Sequence, residues 1–289
     1  DITEHDYSNQ VFIDGEMIFL TRWPKETSEN RINNPTWATF DEAKKSGNFF
    51  TFTDEELPEP TSQWLGAQIF INPSNPVHGH EGQGWSGTIA SVSGKSFVVE
   101  CNLPEGDAGN WGVEAGNYYY LYNPDPDIIN THGGITSLLG YGEWWKNGDT
   151  LYVKTRNGSI PTATIQGKNL VESKKFPFFF RPVKDGVLQN IAIKGFNMFA
   201  TSITTDDNFN KRSTVSEAEN VVIDNVNIKY VMHTDDLSGD WYHQWSSNSG
   251  IILSGRNCTL KNSKIDWSAA SAVSAIGLNH KITNNVMTN

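Results

Sequence analysis

Asn190-Ile-Ala-Ile-Lys-Gly-Phe-Asn-Met198, Asn220-Val-Val-Ile-Asp-Asn-Val-Asn-Ile228, Asn257-Cys-Thr-Leu-Lys-Asn-Ser-Lys-Ile265 and Asn279-His-Lys-Ile-Thr-Asn-Asn-Val-Met287 are four versions of one phrase. Three residues after the opening Asn stands an aliphatic side chain (Ile193, Ile223, Leu260, Ile282), and eight after it another apolar one (Met198, Ile228, Ile265, Met287). Five after it comes Gly195, then Asn225, Asn262 and Asn284. The phrases begin 30, 37 and 22 residues apart, so the motif is constant and the connections are not.

Before the second Asn the apolar residues alternate as they do along a strand, where successive side chains point to opposite faces. At that Asn the frame slips by one residue, so the chain bends and a second short strand begins. Asn suits such a corner because it tolerates left-handed backbone angles and bonds to its own backbone. Stacked at one corner in successive turns, Asn side chains can also hydrogen-bond to one another as a ladder. Strand, corner, strand and a loop of free length are the parts of a parallel β-helix, whose coils bury their apolar residues only when stacked. The competing arrangement is a β-sandwich with four similar strands.

The phrases resemble the repeats of the right-handed parallel β-helix superfamily, which includes pectate-lyase-like polysaccharide lyases and many glycoside hydrolases. The resemblance is clearest over residues 186 to 289. Three further stretches extend it: Asp14 to Pro24 with its Arg22-Trp23-Pro24 ending, Trp64-Leu-Gly-Ala-Gln-Ile-Phe-Ile71, and Gly142-Glu-Trp-Trp145 running on to Leu151-Tyr-Val153. These look like the N-terminal region of large bacterial β-helix proteins, a group in which a β-domain is inserted between an early coil and the main solenoid. The resemblance implies an all-β chain: entry strands of the β-helix over residues 1–24, an inserted antiparallel β-domain over 25–150, and parallel coils over 151–289.

Composition agrees with a β-rich chain. At 289 residues it can bury a substantial core, in one elongated domain or two compact ones. Aromatics reach 12%, and Leu- or Ala-rich helical runs are hard to find. The net charge of −11 argues against a general nucleic-acid or anionic-membrane surface. No run approaches the roughly 18 apolar residues of a membrane helix, and Asp1-Ile-Thr-Glu-His5 does not read as a signal peptide. The last phrase ends without a closing coil, which leads us to expect further chain or a partner on that face. Cys258 shares the parity of Leu260, and Cys101 that of Phe97 and Val99, so both are expected inward as free thiols.

Along the first half, Val11 to Pro24 reads as a hairpin around Asp14-Gly15, and Asn34 to Lys45 as one short helix capped by Thr36 or Thr39. Strands are expected over 64–71, 87–92, 97–103 and 117–122, with a hairpin around Asn147-Gly148. The re-entry into the coils runs over 151–189, with Ala163 to Ile165 and Phe176 to Phe180 as strands and the Phe run as a buried stack. Outward aromatics among Tyr118, Tyr119, Tyr120, Trp144 and Trp145 would either pack or line a sugar-binding wall.

Chemistry is expected on two long loops, since functional residues sit disproportionately on loops carried by rigid scaffolds. The first runs from Thr204 to Ser213, the second from His233 to Trp245, and they are expected to leave from equivalent places on adjacent coils. The second loop carries Asp235, Asp236 and Asp240, His233 and His243, and Trp241, Tyr242 and Trp245 within thirteen residues. Sugar rings stack their C–H faces on aromatic side chains, and glycoside hydrolysis needs two carboxyl groups, one as acid and one as base or nucleophile. Elimination from a uronate needs a base and a neutralising cation, which Lys211 and Arg212 could supply. The candidate catalytic residues are therefore Asp235, Asp236, Asp240 and His243, with His233, Trp241, Tyr242, Trp245, Lys211 and Arg212 binding substrate. The same residues also suit a plain solvated loop, Asp-Asp and Ser-Gly-Asp being ordinary turn chemistry. Asp206 and Asp207 could hold Ca2+ through oxygen, or form a turn. His78, His80, Glu81 and His132 match no established zinc spacing.

The functional expectation is a secreted or cell-surface bacterial protein that binds and cleaves polysaccharide, as a glycoside hydrolase or a lyase. The rival is a non-catalytic adhesin or structural subunit of an envelope assembly, with other surface proteins as partners. The enzymatic half rests on fold-level analogy.

Overall fold

Asn and Gly at the corner positions do what the repeated phrase requires of them. In the computed structural model, which describes residues 10–26, 36–72, 85–100, 113–122, 124, 140–162, 169–176, 178–183, 186–206, 215–231, 250–268 and 271–288, every opening Asn has a left-handed backbone. Their φ values are 54° at Asn190, 55° at Asn220, 54° at Asn257 and 58° at Asn279. The second corner behaves alike, with φ of 73° at Gly195, 52° at Asn225, 53° at Asn262 and 54° at Asn284. Left-handed angles cost most residues energy, but Gly and Asn visit them readily.

The chain is all-β and divides into two units. Gln10 and the described residues from Ser173 onward form one, and those from Val11 to Glu172 form the other. In the first, the phrases pair in parallel and in register. One ladder runs Ala192–Lys194, Val222–Asp224, Thr259–Lys261, Lys281–Thr283, with Ile193, Ile223, Leu260 and Ile282 side by side. A second runs Asn197–Phe199, Asn227–Val231, Lys264–Ser268, Val286–Thr288, with Met198, Ile228, Ile265 and Met287 side by side. Two further parallel pairs join Phe178–Phe180 to Ser202–Ile203 and Ile251–Arg256 to Val273–Leu278, linked by a bridge between Thr204 and Ile252.

Side chains from all of these rows share one core: Ile193, Ile223 and Leu260 with Met198, Ile228 and Ile265, and with Ile203, Ile251 and Leu253. The corners do not interrupt the pairing. The Asn225 N–H donates to the Lys261 carbonyl (3.1 Å) and that of Asn257 to Leu278 (2.9 Å), so the backbone groups freed by the bend are satisfied by the neighbouring turn. Part of the expected side-chain ladder is present: Asn220 donates to Asn190 (3.1 Å), Asn284 to Asn262 (2.6 Å), and Asn262 to Asp224 (2.8 Å) rather than to Asn225. Cys258 is a buried free thiol, inward as its parity requires. Cys101 lies outside the described residues.

Within the other unit a long antiparallel sheet carries the core. Its order is Arg22–Trp23, Tyr118–Tyr122, Gln68–Asn72, Trp85–Ser93, Ser96–Glu100, Phe49–Thr53, Glu42–Ser46, with Ala38–Thr39 pairing Tyr118–Tyr122 off that path. Inward residues alternate along the strands, so Phe50 and Phe52, Ile69 and Ile71, Phe97 and Val99, Tyr119 and Leu121 meet. Phe40 stacks between Phe52 (4.0 Å between centroids) and Tyr119 (4.2 Å). The Tyr119 hydroxyl donates to the buried Asp54 carboxylate, and burial first, then that bond, push the phenol far above its usual titration. Val11–Ile13 and Glu16–Leu20 form the expected hairpin at Asp14-Gly15, and Glu143–Asn147 and Thr150–Lys154 another.

Two expectations are corrected. The helix over 34–45 is absent: Ala38–Thr39 and Glu42–Ser46 are strands, the latter paired with Phe49–Thr53. A hairpin partner with two inward Phe residues outweighs the weak helical preference of Glu-Ala-Lys-Lys, and Thr36 caps nothing, its hydroxyl donating instead to Glu26 (2.9 Å). The Phe run is not a buried stack. Phe178 is buried, but strand alternation turns Phe179 outward (49% exposed), and Phe176, which lies ahead of the strand, is 62% exposed. Trp144 and Trp145 are both buried, so of the two alternatives for these aromatics they take the packed one.

Candidate functional site

The two long segments of the parallel unit leave from Asp206 and Val231, and their roots are described although their interiors are not. Lys211, Arg212, Asp207, His233, Asp235, Asp236, Asp240, Trp241, Tyr242, His243 and Trp245 lie outside the described residues, as do His78, His80, Glu81 and His132. Of the candidates from the sequence, Asp206 is placed. It is buried, its N–H donates to the Thr204 hydroxyl (3.0 Å), and that hydroxyl reaches back to the Asp206 carbonyl (3.3 Å). Among the described residues no three His, Cys, Asp or Glu side chains converge as metal ligands would.

The root of the first segment is a buried polar knot. Thr205 Oγ1 donates to the Ser254 carbonyl and accepts from the Ser254 N–H, both at 2.7 Å. Ser216, where the segment returns, donates its N–H to Ser254 Oγ (2.9 Å), and its own hydroxyl lies 2.9 Å from the Ser254 carbonyl. Thr204, Thr205 and Ser254 are 0–1% exposed, so these bonds form out of competition with water. The exit and the return of the first segment are thus tied to one residue, Ser254, of the Ile251–Arg256 strand.

The second segment returns at Gly250, whose carbonyl accepts a hydrogen bond from Ser202 Oγ and whose N–H donates to Ser271 (2.8 Å). A side chain at Gly250 would stand 2.5 Å from the Ala272 carbonyl, so the return point packs directly on the chain leading into the Val273–Leu278 strand. Ser202 and Gly250 sit at the start of the third row, whereas Asp206 and Ser254 sit four residues further along, a run of ~13 Å at strand spacing. The two segments therefore leave from different corners. The 207–214 segment follows the third row, and the 232–249 segment precedes it. The spacing between phrases could not reveal this, because it fixes how many residues separate them without saying at which corner the extra ones enter.

Electrostatics on the outer faces are patterned rather than uniform. The Asp224 carboxylate accepts from the Asn262 amide and lies 3.6 Å from Lys261 and 3.9 Å from Lys194. The Asn262 hydrogen bond, followed by the two lysines, holds it below the usual carboxylate range. Lys264 lies 3.5 Å from Asp266, which accepts from Thr288 (2.7 Å).

A feature that the phrase analysis missed stands at the third corner. Ala200, Tyr230 and Trp267 each lie ten residues after an opening Asn, and all three have left-handed backbones, with φ of 53°, 59° and 59°. Phe199, Tyr230 and Trp267 form a row of rings, edge-on at 5.6 Å and then tilted at 6.0 Å between centroids. The signal was available in the sequence at an offset of ten, beyond the nine residues that define the phrase.

The chain matches no protein-family model, no curated protein and no solved structure. Any functional reading of it therefore rests on its own geometry and on the sequence resemblance. Among the described residues no helix is long and apolar enough to cross a membrane.

Proposed function

We propose that the parallel ladders are coils of a right-handed parallel β-helix, that the antiparallel unit is an insertion in it, and that the protein binds and cleaves polysaccharide outside the cell. One observation carries this reading: two columns of left-handed Asn and Gly run in register beside two parallel ladders, with segments of unequal length inserted between strands. That is a rigid scaffold on which exposed segments can change without disturbing the core, the arrangement that carries function on many folds. The insertions hold the carboxylates, imidazoles and aromatic rings that glycosidic cleavage uses.

In this reading one of Asp235, Asp236 and Asp240 protonates the departing glycosidic oxygen. A second activates water or attacks the anomeric carbon, while His243 and Trp241 orient the sugar. If the substrate is a uronate, elimination replaces hydrolysis: a base among these residues removes the proton next to the carboxylate, Lys211 or Arg212 neutralises the charge that develops, and the double bond forms as the C–O bond to the glycosidic oxygen breaks and that oxygen leaves protonated.

The test is incubation of the full chain with a panel of neutral and uronic-acid polysaccharides, following reducing ends and the absorbance of unsaturated products. Hydrolysis gives new reducing ends alone; elimination gives both signals. Loss of either signal in the Asp235→Asn, Asp236→Asn, Asp240→Asn or His243→Asn variants supports the assignment. No cleavage of any polysaccharide, or cleavage untouched by all four substitutions, removes the catalytic half and leaves a non-catalytic surface module.

A further inference from the structure

Two Asn-Gly pairs share the antiparallel unit, Asn147-Gly148 and Asn157-Gly158, and the fold treats them differently. Asn-Gly is the dipeptide in which a carboxamide is most open to attack by its own backbone. The nitrogen of the following residue closes a five-membered ring on Cγ, and a glycine there puts no side chain in the way. By dipeptide alone the two sites are equal.

Their hydrogen bonds are not. Asn157 and Gly158 are exposed at the turn that follows the Thr150–Lys154 strand. Asn157 Oδ1 accepts from the Ser159 N–H (3.0 Å) and lies 3.1 Å from the Thr155 hydroxyl, whose proton also reaches the Ser159 carbonyl (2.7 Å). A side-chain oxygen bonded to the N–H two residues on folds the carboxamide over the peptide bond that joins Asn157 to Gly158. The nitrogen of that bond is the attacking atom. The same donors face the oxygen on which negative charge develops when Cγ is attacked. Thr155 is 1% exposed, so its hydroxyl is held in place. Asn157 Nδ2, the group that has to leave, donates to no described residue.

At Asn147 this arrangement is missing. The residue pairs with Thr150 at the mouth of a hairpin, and its carboxamide makes no hydrogen bond among the described residues. Asp14-Gly15 has the same shape of dipeptide with a carboxylate in place of the amide, and there the side chain is tied elsewhere. Asp14 Oδ1 accepts from the Leu170 N–H (2.8 Å) and Oδ2 from the Asn169 N–H (2.9 Å), so the group is held against a distant segment rather than over its own turn.

We propose that Asn157 is a self-modification site, converted in the folded protein to aspartate and isoaspartate without an enzyme. The Gly158 N–H gives its proton to hydroxide, leaving its bond to the Thr155 carbonyl (3.1 Å). The nitrogen bonds to Asn157 Cγ and the carbonyl electrons move onto Oδ1. Their return expels Nδ2, which takes a proton from water and departs as ammonia. Water then opens the succinimide at one of its two carbonyls. Breaking the new bond gives aspartate; breaking the original peptide bond leaves the chain running through the side chain as isoaspartate. The balance is amide plus water to acid plus ammonia, with no oxidant or reductant. Aspartate keeps an acceptor for the Ser159 N–H and adds one negative charge. Isoaspartate lengthens the main chain by one carbon and withdraws that acceptor, so it remakes the turn. The site is independent of what the protein binds.

The test holds the full chain, folded or in concentrated urea, in mildly alkaline buffer and follows both sites by peptide mapping. Trypsin releases them on separate peptides, residues 147–154 and 157–168, and an isoaspartyl methyltransferase tells the two products apart. In the folded chain we expect Asn157 to convert first, about fivefold faster than Asn147, the effect of one hydrogen bond to the developing charge. In urea the lead should vanish, since the dipeptides are the same. Asn157→Gln should stop conversion at that position, because closure would then need a six-membered ring, and Asn147→Gln should leave the rate at Asn157 unchanged. Asn147 keeping pace with Asn157 in the folded chain would overturn the proposal. So would a lead of Asn157 that persists in urea, which would belong to neighbouring residues rather than to the turn, and so would the absence of acid at position 157 in the folded chain.

Discussion

The two units solve one problem, burying β-strands on both sides, by opposite means. The antiparallel unit combines hairpins, such as Glu42–Ser46 with Phe49–Thr53, with long-range antiparallel pairs, such as Phe49–Thr53 with Ser96–Glu100, and its core is rich in aromatic rings: Phe40, Phe52, Phe97, Tyr119 and Trp64. The parallel unit pairs residues 22 to 37 positions apart, and its core is aliphatic, Ile, Val and Leu with single Met and Cys residues. The difference locates tolerance. In the parallel unit extra residues can enter at a corner without changing the core, and that is where the sequence places its densest chemistry.

The comparison can be broken most directly at Gly255. A methyl group there would stand 2.1 Å from the Ala218 carbonyl, at a φ of 119° that side chains rarely adopt. We expect Gly255→Ala to cost about 4 kcal/mol or more, against about 1 kcal/mol for Gly15→Ala, where nothing lies within 4 Å. Urea denaturation of the two variants measures the contrast. Equal costs would mean that the parallel unit does not pack as closely as its register implies.

In the antiparallel unit the most sensitive polar group is Asp54. Asp54→Ala removes the acceptor of a phenol that is fully buried, and the cost should be about 2–3 kcal/mol. Adding Tyr119→Phe to it should recover part of the loss, because a buried phenol is then no longer left without its acceptor, although the Glu56 N–H still loses Asp54. A double-mutant cycle by chemical denaturation reads this, and strict additivity of the two changes would deny the coupling.

Asn262 tests the corner chemistry at intermediate size. Its replacement by Ala keeps the left-handed backbone while losing the bonds to Asp224 and Asn284, at a cost of about 1–2 kcal/mol, whereas Gly should recover most of it. A Gly variant no more stable than the Ala variant would show that the backbone conformation is not what the Asn supplies. The smallest effect is a pH dependence. Asp224 has a folded pKa below its unfolded value, so its contribution is present above the unfolded value and fades as pH falls through the folded one. Thermal unfolding of wild type and Asp224→Asn should therefore differ at neutral pH and converge in acid.

Much of this was legible because the phrase encodes local geometry. Asn225, Asn262 and Asn284 bend the chain through their own backbone preference, and Ile223 and Leu260 face inward through strand parity, so a frame of nine residues suffices to read both. The helix expected over 34–45 failed for the opposite reason: Glu42 to Ser46 are extended only because Phe49 to Thr53 lie beside them. The loop roots failed in the same way. A spacing of 30 or 37 residues between phrases says that a coil is longer than 22 and leaves open which corner carries the excess.

The sequence by itself determined that the chain is all-β, where its first two corners fall, which side chains of the repeated phrase point inward, and that Cys258 is a buried thiol. Those depend on backbone preference and period-two alternation, which act over a few residues. Only the tertiary structure decided which strands pair, that the segments at Asp206 and Val231 leave from different corners, and that Phe199, Tyr230 and Trp267 meet in a row. Such contacts join residues about thirty positions apart, and their register is set by the packing of a common core rather than by any local signal.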